Sequence, residues 1–126
     1  MKNGRIAVPS EGLGGLDGQR SAHFGHCSRF TLIDVVDGEI SNVSTVANQE
    51  HREGGCLVPV NFLAAQDVDA LIVSGIGKRP LVGFNDVNIS VFHEATQPSV
   101  QLVAEMLISG KLPEMQSQNA CGGGTH

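Results

Sequence analysis

Phe30-Thr31-Leu32-Ile33-Asp34-Val35-Val36-Asp37-Gly38-Glu39-Ile40-Ser41-Asn42-Val43-Ser44-Thr45-Val46 reads as two strand-forming runs around an Asp-Gly pair. Asp-Gly readily supplies the two left-handed residues of a two-residue hairpin. The segment therefore predicts an antiparallel pair, Phe30 to Val36 and Glu39 to about Val46. Upstream, Arg5-Ile6-Ala7-Val8-Pro9 is a short apolar run stopped by proline, followed by Ser10, Gly12, Gly14 and Gly15. It reads as a central strand entering a long glycine-rich loop.

Downstream the pattern changes to strand–helix alternation. Asn48 to Gly55 is a polar loop, and a helix is expected from near Gly55 or Cys56, with Pro59 tolerated in its first turn. Leu57, Val60, Leu63 and Ala64 recur at helical spacing and should face the core. Ala70-Leu71-Ile72-Val73 is a buried strand, followed by Gly75-Ile76-Gly77 and a helix opened by Pro80. Asn88 to Phe92 is a further strand. Val100, Val103, Ala104, Leu107 and Ile108 then form an amphipathic helix ended by Gly110. Alternation implies parallel strands joined by right-handed crossovers, with the hairpin adding an antiparallel member. The fold class is therefore α/β, a mixed sheet covered by helices. Residues 1–112 form one domain, and 113–126 are expected to be a flexible Cys/Gly/His tail.

Composition narrows the function classes. The chain has 126 residues, 40% of them hydrophobic and 17% charged, enough for one domain with a core. Its formal net charge of −5 opposes a broad phosphate-binding surface, and the absence of Trp and Tyr removes most stacking platforms, so nucleic acid is not the expected partner. No apolar run approaches the roughly 18 residues of a membrane span, and the first residues lack the apolar core of a signal peptide. Three cysteines suit reduced thiols in the cytoplasm better than a disulfide framework.

Ser21-Ala22-His23-Phe24-Gly25-His26-Cys27 places two imidazoles and a thiol within five positions. These donors suit zinc, copper, iron and metal–sulfur clusters, and Gly25 permits close backbone approach. The plain alternative is a loop with two solvated histidines and a buried thiol. Topology adds to the motif, because ligands of open α/β sheets gather at the carboxyl ends of the strands. That rim should receive His23, His26 and Cys27 after the first strand, and His51 and Cys56 after the hairpin. Gly75, Gly77, Lys78 and Arg79 should reach it after the fourth strand, and His93 after the fifth. Cys56 near a helix N-terminus has its thiolate favoured by the helix dipole, and is equally suited to burial beneath the helix. His51, in a charged loop, fits a solvated residue better than a ligand, and His93 fits either role. Gly75-Ile76-Gly77-Lys78-Arg79-Pro80 is a generic anion cradle or simply a tight strand-to-helix turn. It lacks a dinucleotide fingerprint. Cys121 and His126 sit on a glycine leash that either folds over a metal or stays a disordered tail.

Ser21-Ala22-His23-Phe24-Gly25-His26 after a glycine-rich loop, Gly54-Gly55-Cys56 before the first helix, Gly75-Ile76-Gly77 after an apolar strand and the Cys/Gly tail together resemble a known family. That family is the dinitrogenase iron–molybdenum cofactor-binding family, which includes nitrogenase accessory carriers of the NifX kind and C-terminal domains of the NifB kind. The resemblance runs from about Arg5 to Leu112 and is that of a small stand-alone member. It implies a ribonuclease H-like three-layer fold with a mixed, mostly parallel five-stranded sheet. It also implies non-enzymatic binding or carriage of a metal–sulfur cluster containing iron and/or molybdenum, in contact with protein partners of cofactor assembly. His23, and less firmly Cys27 and Cys56, match its ligand-bearing region.

The expected site comprises His23, His26, Cys27, Cys56, His93 and Cys121 as metal ligands. Gly25, Gly75, Gly77, Lys78 and Arg79 would contact the cluster. A single zinc or copper ion in a sensor or adaptor partnering an ATPase is the competing binding function. A two-metal nuclease needs converging carboxylates, and the first strand has none. A thiol enzyme using Cys27 beside His26 lacks an evident orienting third group.

Overall fold

The first strand, β1 (Gly4–Ser10), is hydrogen-bonded along both edges. The computed structural model describes residues 1–21, 27–48 and 57–115, and among them β1 is central to a six-stranded sheet. The hairpin is as expected: β2 (Arg29–Val36) and β3 (Glu39–Ala47) pair antiparallel around Asp37 and Gly38, whose φ values are 54° and 79°. Both turn residues are left-handed, the condition that lets the turn's twist match that of the strands. Past Val35↔Ile40 the register slips, and Ser41 has no counterpart before Asp34↔Asn42, a bulge on the edge strand.

The chain then forms α1 (Leu57–Ala65), β4 (Ala70–Val73), α2 (Lys78–Asp86), β5 (Ser90–His93), α3 (Val100–Ile108) and β6 (Glu114–Met115). The sheet order is β3-β2-β1-β4-β5-β6. β4 is parallel to β1, and β5 to β4. β1, β3, β4 and β5 all point one way, opposed by β2 and β6. Two details differ from expectation. The sheet has six strands rather than five, because Glu114 and Met115 pair with Phe92 and Val91 inside the segment read as tail. Because β2 lies between β1 and β3, only β1–β4 and β4–β5 are parallel neighbours. The expected start of α1 near Cys56, and the tail from residue 116 on, lie outside the described residues.

Strand alternation divides the core. Ala7, Phe30, Leu32, Leu71, Val73 and Val91 face α1 and α2, meeting Val60, Leu63, Leu81 and Phe84. Ile6, Val8, Ile33, Val35 and Ile72 face the opposite way and meet Val100, Val103, Ala104 and Leu107 of α3. Each such aliphatic side chain, fully buried, contributes about 1.5–3 kcal/mol, and the result is three layers. Helix α3 starts at an N-cap, with Ser99 accepting from the Leu102 N–H at 3.2 Å. It stops at left-handed Gly110 (φ 75°), where the Lys111 N–H donates to the Met106 carbonyl at 2.9 Å.

A single helix cannot cover that second face, and the glycine-rich loop after β1 completes the cover. Gly15 donates its N–H to Thr31 Oγ1 at 3.0 Å, and that hydroxyl also bonds Ser10 Oγ at 2.8 Å. A side chain at Gly14 would come within 3.0 Å of Thr31 Oγ1 and 3.1 Å of Thr45, so the loop's backbone lies directly on β2 and β3. Leu16 joins the α3-side cluster with Ile40 and Val43. At Gly18 a Cβ would fall 2.8 Å from the Gly14 carbonyl carbon and 2.9 Å from the Gly15 oxygen. Both contacts are backbone, so neither can swing away.

Gly18→Ala is therefore expected to destabilise by about 2 kcal/mol through overpacking. Gly12→Ala meets no neighbour and should cost only about 1 kcal/mol, from its left-handed φ of 59°. Urea denaturation of both variants checks the order, and an equal or smaller loss at Gly18 would contradict this account of the loop.

Candidate functional site

The carboxyl ends of β1, β3, β4 and β5 and the start of β2 form one rim. Ser10 pairs with Arg29 there and Arg29 with Ala47, while Val73 pairs with His93. Ser21 and Cys27, which flank residues 22–26, are both anchored at this rim. The Ser21 N–H donates to the Pro9 carbonyl at 2.8 Å. The Asn48 side-chain amide donates to the Cys27 carbonyl at 3.0 Å and reaches Cys27 Sγ at 3.5 Å. The Asn48 N–H also donates to the Ser28 carbonyl at 3.1 Å. The polypeptide thus leaves Asn48 for residues 49–56 beside the point where it returns from 22–26.

Of the expected ligands, Cys27 and His93 are described. His23, His26, Cys56 and Cys121 lie outside the described residues, as do Gly25, His51 and His126. Cys27 is only 4% exposed and packs into the core beneath α1 and α2. Burial pushes its thiol up to about 11, against the pull of backbone hydrogen bonds at Ser10 and at Cys27 itself. A thiol so protonated at neutral pH is a poor nucleophile, which weighs against the thiol-enzyme reading. It would act as a ligand only by releasing its proton to solvent as a metal took its place. His93 closes β5, with its N–H bonded to the Pro113 carbonyl at 3.0 Å. Among the described residues no three His, Cys, Asp or Glu side chains converge as a metal site.

Gly75 and Gly77 follow β4 at the same rim. Neither has a left-handed φ, a Cβ at Gly75 would meet nothing, and one at Gly77 would meet only Pro80 at 3.7 Å. Packing therefore does not demand glycine at either position, and what the two glycines leave is open backbone before α2. Gly77 is the N-cap of α2 without a side-chain cap bond. Lys78 and Arg79 are exposed and border a groove of about 470 Å³ with Val82, Gly83 and Asp86 along α2.

Arg20 was not singled out by sequence reading. Its side chain is 4% exposed, yet it ties the glycine-rich loop to the far side of the rim. Nη1 donates to the Gln97 carbonyl and Nη2 to the Glu94 carbonyl, each at 2.8 Å, while the Arg20 N–H donates to Pro98. Glu94 Oε1 accepts from the N–H groups of Gln97 at 2.6 Å and Thr96 at 2.8 Å. Those bonds, the Gln97 one foremost, hold its carboxyl below the usual glutamate range, with Arg20 adding to the effect. One charged residue in a glycine-rich stretch carries no periodic signal, so only the tertiary contacts reveal it.

These features define a three-layer α/β domain at whose rim Cys27 and Asn48, the residues that flank 22–26 and 49–56, are hydrogen-bonded to each other. The chain belongs to the Dinitrogenase iron-molybdenum cofactor family, whose sequence profile matches residues 3–110. An uncharacterized protein of Methanocaldococcus jannaschii is 28% identical over 115 residues, covering 89% of this chain and 92% of that protein. The apo form of the orange protein of Desulfovibrio gigas superposes with a TM-score of 0.78 at 24% identity, over 88% of this chain and 92% of that one. A Thermotoga protein with a provisional NifB assignment has a TM-score of 0.70 at 26% identity, with the same coverages of 88% and 92%. No helix among the described residues is long and apolar enough to cross a membrane.

The lowered carboxyl of Glu94 sets a pH dependence. Its folded value lies below its unfolded value, near the ordinary 4.5, so its stabilisation is complete at neutral pH. That stabilisation should be lost as pH falls below about 4.5 toward the folded value. Thermal melting between pH 7 and 3 should show a decline in acid that is shallower in Glu94→Gln. An unchanged acid slope in the variant would exclude Glu94 as a contributor.

Proposed function

We propose that the protein binds and carries an iron- and/or molybdenum–sulfur cluster at this rim, as an accessory of cofactor assembly or delivery in the cytoplasm. It hands the cluster to partner proteins and performs no chemistry on it. One observation carries the reading: Asn48 joins Cys27 at the rim. It thereby holds Cys27, which follows residues 22–26, beside Asn48, which precedes residues 49–56, at the strand ends where α/β sheets take ligands. Membership of the family supports the same class of cargo.

In this reading His23, His26, Cys27 and Cys56 supply imidazole and thiolate to exposed metals, with His93 and Cys121 as outer donors. Gly25, Gly75 and Gly77 let backbone approach the cargo, and Lys78 and Arg79 offset its negative charge. Cys27 cannot be treated as a dispensable loop ligand, because it fills part of the core. Cys27→Ala should cost about 1 kcal/mol of stability in addition to any loss of binding.

Anaerobic reconstitution with iron, molybdate and sulfide, followed by metal and acid-labile sulfide analysis, tests the proposal. Wild type should take up metal together with sulfide, and His23→Ala or Cys56→Ala should weaken uptake by roughly tenfold or more while the melting temperature holds. Cys121→Ala should matter less, since a tail loses ordering entropy before it contributes a ligand. Equal uptake by wild type and a His23/Cys27/Cys56 triple alanine variant would overturn the assignment. Metal bound without sulfide would replace the cluster by a single-ion site.

A further inference from the structure

We propose that the pocket at the carboxyl ends of β4 and β5 binds a small tetrahedral oxyanion on the guanidinium of Arg20. None of its residues is a soft-metal ligand, so the site stands apart from the thiolate and imidazole assignment. The cavity has a volume of about 160 Å³ and is lined by Arg20, Ser21, Ser74 and the turn 95–98. Its place in the fold is the first argument. From β1 the chain turns to β2 on one side of the sheet, whereas β4 lies on the other. Arg20 and Ser21 lie in the loop after β1, and Ser74 directly follows β4. The pocket therefore lies at the point where the strand order reverses, where open α/β sheets take their ligands.

The second argument is the unfinished hydrogen bonding of a buried cation. Two donors of Arg20 make the 2.8 Å bonds to the Gln97 and Glu94 carbonyls. Two more reach only 3.4 Å, from Nη1 to Glu94 Oε1 and from Nη2 to Ser74 Oγ. Nε is buried with no hydrogen-bond partner at all. Bonds at 3.4 Å lie beyond the range of about 2.7–3.2 Å for good N–H···O geometry and yield readily to a better acceptor. The Glu94 carboxylate is the one that bonds this guanidinium, and its own short bonds go to Thr96 and Gln97. The contact with Arg20 is the long one on an oxygen, Oε1, already held by two short backbone bonds, so it is the bond of that set most easily exchanged for another acceptor.

A planar guanidinium fork matches two oxygens of a tetrahedral anion, and such charge-assisted bonds are stronger than neutral ones. An oxyanion in the pocket draws Nη1 and Nη2 from their 3.4 Å partners. Ser74, released from accepting, can turn its hydroxyl proton to a further oxygen. Molybdate, phosphate and sulfate share this chemistry, and the test separates them.

Calorimetric titration of the full chain with each of the three anions at low chloride is the experiment. Saturable one-to-one binding of at least one anion is expected, weakened roughly tenfold by Ser74→Ala through loss of one hydrogen bond to a charged group. Arg20→Gln should abolish it. Because Arg20 also anchors the loop, Ser74→Asp is the second variant. It sets a carboxylate against the pocket at a half-buried position and should abolish binding while the far-ultraviolet circular dichroism is unchanged. Molybdate alone, or all three anions, binding in this manner supports the site, and the pattern names the source. No saturable binding of any anion at millimolar concentration, or equal binding by wild type and Ser74→Asp, overturns it.

Discussion

β1 carries hydrogen bonds to an antiparallel neighbour on one edge and a parallel neighbour on the other, and it is buried on both faces from Ile6 to Ser10. That double pairing aligns the carboxyl ends of β1, β3, β4 and β5. A hairpin on one side returns β3 to the direction of β1, while a crossover through α1 delivers β4 in the same direction on the other. Every loop that follows one of these strands therefore opens at one rim. Ser21, Cys27, Asn48, Gly75 and His93 are thus brought to one rim by the sheet's polarity, not by their spacing along the chain.

The loop after β1 shows how the rim is held firm without a second helix on the α3 side. Backbone takes the place of side chains: Gly14 lies on Thr31 and Thr45, and Gly18 packs against the Gly14 and Gly15 carbonyls. The Val100 N–H donates to the Gly18 carbonyl at 3.3 Å, so the loop also fixes the start of α3. Arg20 completes the attachment by reaching the turn after β5. Side chains on a segment held this way can be exchanged for function with little loss of core, except where, as at Cys27, the residue itself enters the core.

How far the sequence foretold this depends on the range of each interaction. The Asp37–Gly38 hairpin and the α3 stripe of Val100, Val103, Ala104 and Leu107 were readable because turn chemistry and helical period are local. So was Ala70–Val73, a fully buried run with clean borders. The two-residue strand Glu114–Met115 has no period to detect and exists because β5 offers it an edge. β5 begins at Ser90 rather than Asn88, because left-handed Asn88 (φ 65°) belongs to the turn that ends α2. Arg20 bonds residues more than fifty positions away, and nothing in its neighbours announces that. Cys27 was readable either as a ligand or as a buried thiol, and only its tertiary packing beneath α1 and α2 shows that it enters the core.

Burial of Cys27 bears on what kind of binding site this rim can be. A solvated thiolate would bind a soft metal tightly and would also react with oxidants and stray metals. A thiol held protonated by its surroundings resists both. A metal bound there would have to displace a proton, at a cost to affinity that is largest at neutral pH and shrinks as pH rises. The glycines at 75 and 77, which packing does not require, and the exposed cations at 78 and 79 leave the opposite side of the rim open and positively charged. An enclosing, strongly binding site would bury its cargo among preformed thiolates. In the carrier reading proposed above, a guarded thiol, open backbone and surface cations would instead balance attraction against release.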